Sequence, residues 1–439
     1  MAPRRSPPPS KIGSGVTCRR SPRFHPQIPV SEDGAGVGRR LSPRLHPQFP
    51  ASEYVGGVAS RCRRGRGTSP AAHASLPDDD DMLREILLRL PPQPSSLPRA
   101  SAVCKRWRGL VTDAGFLRQF YAHHRKPPIL GVFEYSYKGI VFNSVLDPPD
   151  RIPGQRFNLG HCSNSSIDYD LLDCRHGRVL VEDLVVNEVV VCNPVTGEQR
   201  RVPVPPEVRW SVLSGAVLCA DTGHGHVHGG CNSSPFKVVL VSTGRSDNQT
   251  LVCVYSSETA VWGNAISIQG SGLLYYARAP LIGNCLYWLC FDDGILEFDL
   301  DMNRLNMIME PPITNNINML YSNRQIIRSD SGVVGFAMLC YPHFHMWQRN
   351  INAYGVATWT PWKTIDIHSV LGLPPRTEGL VGRTPVIRGY DEDTDVICVN
   401  VDGIVYMVHL KSIQSSKPYE SERTDRCHLF KSFYTQQAT

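Results

Sequence analysis

The chain has 439 residues, 41% hydrophobic and 20% charged, which suits a folded protein and exceeds what one hydrophobic core usually serves. Its longest apolar runs, such as "GNCLYWLCF", fall well short of the roughly 18–20 residues that a membrane-spanning helix needs, so no membrane segment is expected. The formal charge of +6 conceals a division: residues 1–75 hold 13 Lys/Arg and three acidic residues, a net of +10, while the rest, with 33 Lys/Arg and 37 acidic residues, carries −4.

Residues 1–75 are rich in Pro, Arg, Ser and Gly and contain a tandem repeat, "SPRFHPQIPVSE" at 21–32 returning as "SPRLHPQFPASE" at 42–53. Such a segment buries little apolar surface and is expected to be disordered. Its Arg clusters, "RCRRGRG" above all, would attract phosphate, and its Arg- and Ser-rich, acid-poor composition is also that of an organelle transit peptide. A plain solvated extension needs neither role.

The composition changes at Leu76, and residues 76–125 read as a small all-helical unit of three helices. The first carries Leu83, Ile86, Leu87 and Leu90 at the spacing of one apolar face, behind Asp78 to Asp81, which suit a helix N-terminus. "PPQP" stops it. The second runs from about Leu97 to Val111, with Ala100, Val103, Trp107 and Leu110 on one side and Arg99, Lys105, Arg106 and Arg108 on the other. Asp113 is placed to cap a third helix bearing Phe116, Leu117 and Phe120, and "HHRK" at 123–126 makes a basic helix end. A unit of about 45 residues is marginal alone, so its apolar surface needs a partner or the rest of the chain.

From about residue 130 to 420, short runs rich in Val, Ile, Tyr and Phe alternate with Gly, Asp, Asn and Pro, the pattern of an all-β domain. "VVVCNPVTGEQRRVPVPP" at 189–206 and "ILEFDLDMNRLNMIMEPP" at 295–312 share a layout: strand, Asn193 or Asp299, turn, strand, Pro-Pro. Their offset of 106 residues is about two units of the roughly 40–50 residues that a four-stranded propeller blade occupies, so a propeller of about six blades is expected. "VICVNVDGIVYMVHL" supplies a late hairpin, and residues 421–439 read as a C-terminal tail. Neither Trp-Asp dipeptides nor the paired glycines of kelch repeats recur.

The segment from Leu76 to about Phe120 resembles an F-box: an initial "LP", then "EILLRLP", then "RASAVCKRW". The downstream "DCRHGRVLV", "NPVTGEQRRVPVPP" and "YWLCFDDGILEFDL" are similar to the F-box-associated β-propeller of the large plant F-box families. The resemblance implies that the F-box docks on an SKP-type adaptor of a cullin–RING (SCF) ubiquitin ligase while the propeller holds a protein substrate for ubiquitination. By position it implies an adaptor-binding surface of Leu76, Pro77, Ile86, Leu87, Leu90, Pro91, Val103, Cys104 and Trp107. Pro98 departs from the pattern, standing where many F-boxes carry Leu or Ala, but proline is acceptable in a first helical turn. The nucleophilic cysteines of ubiquitin transfer would belong to other subunits, so no catalysis and no cofactor are expected of this chain.

Other motifs are weaker. "GHGHVHGGC" offers His224, His226, His228 and Cys231, donors that suit zinc, yet its glycines suggest a flexible loop without a second ligand pair nearby, and no metal is expected. "DEDTD" at 391–395 lacks calcium-loop spacing and reads as a solvated hairpin turn. Trp262 and Trp362 read as repeated blade-packing positions. The 14 cysteines form no C-x-x-C pair, and several sit inside apolar runs, which points to reduced thiols in an intracellular protein, nuclear or cytoplasmic. No nucleophile elbow or Walker loop occurs. The readings outside a ligase are an interaction scaffold using the basic tail on nucleic acid, or a propeller with a small-ligand or catalytic site in its channel.

Overall fold

The computed structural model describes residues 79–434, apart from 137–138, 158, 161–167, 209–211, 222, 224–225, 232, 244–248, 270–277, 292–293, 313–322, 374–384, 417 and 422–425. The basic tail, Leu76, Pro77 and His224 lie outside the described residues.

The first part is helical: α1 (Asp80–Leu88), α2 (Ser96–Ser101), α3 (Lys105–Val111) and α4 (Ala114–His124). Asp79 starts α1 by accepting the Asp81 N–H, and Asp113 starts α4 by accepting the Phe116 N–H at 2.8 Å. Leu83, Leu87, Leu97, Ala100, Leu110, Val111, Phe116 and Phe120 form one core. The single helix expected over 97–111 is two helices. The Ala102 N–H turns back onto α2 carbonyls, and Cys104 is extended (φ −162°, ψ 169°). In a straight helix Ala100 and Leu110 would stand about 15 Å apart along the axis. The break lets both enter the same small core and turns Val103 outward.

Residues 129–431 form a six-bladed propeller, with strands ordered within each blade from the central axis outward. Blade 2 is Tyr169–Arg175, Arg178–Asp183, Glu188–Cys192 and Gln199–Pro203. Blade 3 is Val212–Cys219, Phe236–Thr243, Gln249–Ser256 and Val261–Trp262, with Ile266–Gln269 also on the third strand. Blade 4 is Leu281–Ile282, Cys285–Leu289, Gly294–Asp299 and Arg304–Met309. Blade 5 is Arg324–Arg328, Val334–Cys340, His343–Ile351 and Ala357–Asp366, followed by α5 (Ile367–Leu371). Blade 6 is Val386–Asp391, Val396–Val401, Ile404–His409 and Gln414–Ser415, with Tyr419–Glu420 on its third strand.

Blade 1 joins the two ends of the domain: Cys427–Lys431 is its inner strand and pairs with Ile129–Ser136, which pairs with Gly139–Ser144. Within the segment expected to be a tail, Cys427–Lys431 is part of the propeller. It supplies the strand that closes the ring and removes an exposed sheet edge. Each neighbouring pair of blades shares one apolar cluster, such as Val189, Val217 and Val238 between blades 2 and 3, or Leu218, Val239, Trp288 and Phe298 between blades 3 and 4. Strands buried on both faces explain the near-continuous apolar runs "VVVC" and "VVLV".

The repeated hairpins at 189–206 and 295–312 are the third and fourth strands of blades 2 and 4, two blades apart as their offset requires. Trp262 packs on Tyr255 and donates from Nε1 to the Pro203 carbonyl of the preceding blade at 2.9 Å. Its counterpart is Trp359, which donates to the Met309 carbonyl at 2.8 Å, not the half-buried Trp362.

Antiparallel strands send successive connections to alternate ends of the ring. Turns between first and second strands, and between third and fourth, share one end, and the helical unit enters blade 1 at that end. Connections from blade to blade leave from the other.

Candidate docking surfaces

The helical unit is fastened to the propeller along α4 and the start of α2. The Tyr121 ring stacks on Phe433 at 4.4 Å, the Ser95 N–H donates to Asp150 at 2.9 Å, and Lys126 Nζ donates to the Asp393 carbonyl at 2.9 Å. Tyr121 of α4 thus packs on the propeller, while among the described residues α1 and the turn before α3 leave apolar side chains exposed. Met82, Ile86 and Val103 are 54%, 44% and 56% exposed, and Cys104 and Pro91 are exposed beside them in sequence. Arg106 ties the two elements together through a 2.7 Å ion pair with Asp80.

The residues singled out by sequence divide accordingly. Ile86, Val103, Cys104 and Pro91 present surface. Leu90 and Trp107 lie half-buried against the helical core and can offer an edge. Leu87 is fully buried in the core with Leu83, Phe116 and Phe120 and presents no surface in this structure. Met82, outside the motif, adds a further exposed apolar side chain one turn before Ile86.

The interior of the propeller is charged. Arg175 on the inner strand of blade 2 meets Asp173 at 3.1 Å and Glu392 at 2.9 Å. Arg278, at the entry to blade 4, meets Asp173 at 2.9 Å, Asp391 at 3.5 Å and Glu392 at 2.8 Å. Lys431 on the closing strand meets Asp391 at 2.6 Å and Asp393 at 2.5 Å. Asp173, Asp391, Glu392, Arg175, Arg278 and Lys431 are buried, three carboxylates facing three cations. Burial by itself would raise the Asp173 and Asp391 carboxyls, but Arg175 and Arg278 beside the first, and Lys431 and Arg278 beside the second, hold both below the ordinary range. His428 stays neutral, its pKa pushed down to about 3 by burial. The "DEDTD" turn is therefore not solvated: Asp391, Glu392 and Asp395 are buried because cations distant in sequence converge on them. The arrangement joins blades 1, 2, 4 and 6 through buried ion pairs.

Two further features lie on the rim. At the end shared with the helical unit, a groove of about 750 Å³ runs between blades 2 and 3, where Arg178 and Arg200 lie over the Phe236 ring. At the opposite end, the turn Leu184-Val185-Val186 exposes three apolar side chains in a row, its backbone held by N–H groups donating to Asp183. The His-rich segment also gathers: His226, His228 and Cys231 meet Cys219 at the end of the preceding strand, a residue too far upstream to be read as part of the motif.

Comparison with known proteins agrees with this geometry. Residues 74–119 match the F-box domain, and residues 170–431, more than half of the chain, match the family described as "F-box protein AT5G49610-like, beta-propeller". Among curated proteins the chain is 23% identical to the F-box/LRR-repeat/kelch-repeat protein At2g27520 of Arabidopsis thaliana, over 80% of this chain and 93% of that one. It is 26% identical to the F-box/kelch-repeat protein At3g17530 of the same plant, over 48% of this chain and 53% of that one.

Proposed function

From the premise that the chain belongs to the plant F-box protein β-propeller family, we propose that it is a substrate-receptor subunit of an SCF-type ubiquitin ligase. Its F-box docks on an SKP-type adaptor, and its propeller presents a protein substrate for ubiquitination by the other subunits, which places its work in the nucleus or cytoplasm. The chain itself contributes binding, not chemistry.

The observation that carries this reading is the exposure of Met82, Ile86 and Val103 on a unit that is itself fastened to the propeller through Tyr121. Exposed apolar side chains on a small helical unit ask for a partner. Leu76, Pro77, Leu90, Pro91, Cys104 and Trp107 complete the proposed adaptor surface. The substrate is then held at the far end of the propeller, where Leu184, Val185 and Val186 are free of the helical unit.

The test is adaptor capture by the full chain. Purified protein should bind an SKP-type adaptor, and the double variant Ile86→Asp, Val103→Asp should lose that binding while its circular dichroism and thermal unfolding stay unchanged. Failure of the folded wild-type chain to bind the adaptor overturns the proposal and favours a scaffold outside any ligase.

A further inference from the structure

The turn between the first two strands of blade 3 brings four ligating side chains to one point. The Sγ atoms of Cys219 and Cys231 and the ring nitrogens of His226 and His228 all lie within 4.8 Å of one another. Cys219 Sγ is 3.3 Å from His226 Nε2, and the same nitrogen is 3.3 Å from His228 Nδ1. In a tetrahedron with Zn–S near 2.3 Å and Zn–N near 2.0–2.1 Å, the ligand atoms stand about 3.3–3.8 Å apart. The two 3.3 Å spacings match the short end of that range, and the 4.8 Å limit on the others leaves a shift of about 1 Å for the four to close on an ion.

The surroundings orient the ligands as a metal requires. His226 Nδ1 lies 3.0 Å from the Asp221 carboxylate, which fixes the proton on that nitrogen and leaves Nε2 as the donor facing the cluster. Asp221 is itself held by Ser234 Oγ and the Gly223 N–H, each at 2.9 Å. The His176 ring stacks on His228 at 3.7 Å, and its Nδ1 accepts the Cys219 N–H at 3.1 Å. Arg178 donates to the Cys231 carbonyl at 2.8 Å and reaches its sulfur at 3.9 Å, setting a positive charge where a metal-bound thiolate would stand. Both cysteines are free thiols.

We propose that Cys219, His226, His228 and Cys231 form a closed, tetrahedral zinc site. Two thiolates and two imidazoles favour zinc over magnesium or calcium, and four protein ligands leave no open position for catalysis. The site is structural. It pins the turn on which the helical unit sits: a Cβ at Gly230 would lie 2.6 Å from the Tyr121 ring, and the Gly229 carbonyl accepts the Phe433 N–H at 3.1 Å and the Ser432 hydroxyl at 2.9 Å. Zinc at this point braces the seat of Tyr121 and Phe433, and so the attitude of the F-box on the propeller.

The experiment is metal analysis of the full chain purified with reductant, followed by replacement with cobalt. About one zinc per chain is expected, together with the intense visible bands and thiolate charge-transfer absorption of tetrahedral cobalt. The double variant Cys219→Ser, Cys231→Ser should lose both, and a chelator should lower the melting temperature of the wild-type chain without changing that of the variant. Should the variant fail to fold, the wild-type cobalt spectrum decides alone. A folded wild-type chain that takes up neither zinc nor tetrahedral cobalt overturns the proposal, as does a Cys219–Cys231 disulfide found by mass spectrometry in the reduced preparation. Adaptor capture is a separate measurement, so either proposal can fail without the other.

Discussion

The helical unit turns Met82, Ile86 and Val103 outward, while the propeller turns Arg175, Arg278, Lys431, Asp173, Asp391 and Glu392 inward. Each inversion has a physical reason. A four-helix unit of this size has too little interior to bury all its apolar residues, and what stays outside is available to a partner. A closed ring has the opposite problem: six sheets converge on an axis where backbone and side chains must fit together. Balanced ion pairs between blades specify that fit, because a buried charge tolerates few alternative arrangements. Such pairs need not add net stability over apolar replacements, but removing one partner leaves a charge stranded. The two regions should therefore answer differently to substitution, one in binding and the other in stability.

The largest effect is expected at the centre of the ring. Arg278→Met strips a cation from Asp173, Asp391 and Glu392 together. Loss of about 3–5 kcal/mol is expected, read as a lower urea midpoint. An unchanged midpoint would mean that the interior relaxes or admits water, and the contrast with the helical unit would fall.

Next is Glu182, on the second strand of blade 2. Burial, and then the like charge of Asp170 directly opposite it, push its carboxyl up to about 8. With the folded pKa above the unfolded value, this group costs nothing when both states are protonated, at low pH. Its cost grows as pH rises from about 4.5 and is complete above about 8, with a ceiling of about 5 kcal/mol that partial hydration reduces. Glu182→Gln should therefore raise the melting temperature at pH 8.5 and leave it unchanged at pH 4. The Asp173 and Asp391 carboxyls work in the opposite sense, since their depressed pKa values contribute stability that is lost on acidification. His428 adds to that loss below about pH 6.5, where the unfolded imidazole takes up a proton that the folded one refuses. A wild-type melting temperature that keeps rising to pH 9 would contradict the assignment at Glu182.

On the helical side, Ile86→Ala should weaken adaptor binding by about 2 kcal/mol if it anchors the contact. Being exposed, it should shift folding stability by no more than about 0.5 kcal/mol. A large stability loss with intact binding would reverse the roles of the two regions.

What could be read from the sequence follows the same division. The blade repeat was legible because local chemistry recurs. Asn193 and Asp299 each accept two backbone N–H groups in the turn that follows, and Gly197 and Asn303, also 106 apart, share a positive φ. The helical unit was legible as a motif but not in the direction of its side chains, since the break at Ala102–Cys104 serves a tertiary need and sends Val103 out of the helical stripe. The charged interior was not legible. Arg278 and Lys431 are far from "DEDTD" in the chain, so an isolated acidic turn looked solvated. Cys219 escaped for a similar reason: it closes a strand, and only the turn of the chain brings it back to His226.

The smallest effect tests whether the repeat is structural or coincidental. Gly197 has φ +78° with open space where a Cβ would stand, so Gly197→Ala introduces backbone strain without a clash. A loss of about 1 kcal/mol is expected. Asn303 holds the same place two blades on at φ +48°, and there Asn303→Gly removes strain at the cost of a freer unfolded chain, which should leave stability nearly unchanged. Both variants should bind adaptor like the wild type, because neither turn touches the helical unit's exposed patch. Equal and negligible effects at both sites would show that these turns tolerate any backbone. The shared Asx turns would then be a local habit of Asn and Asp, and the blade repeat would rest on strand pairing alone.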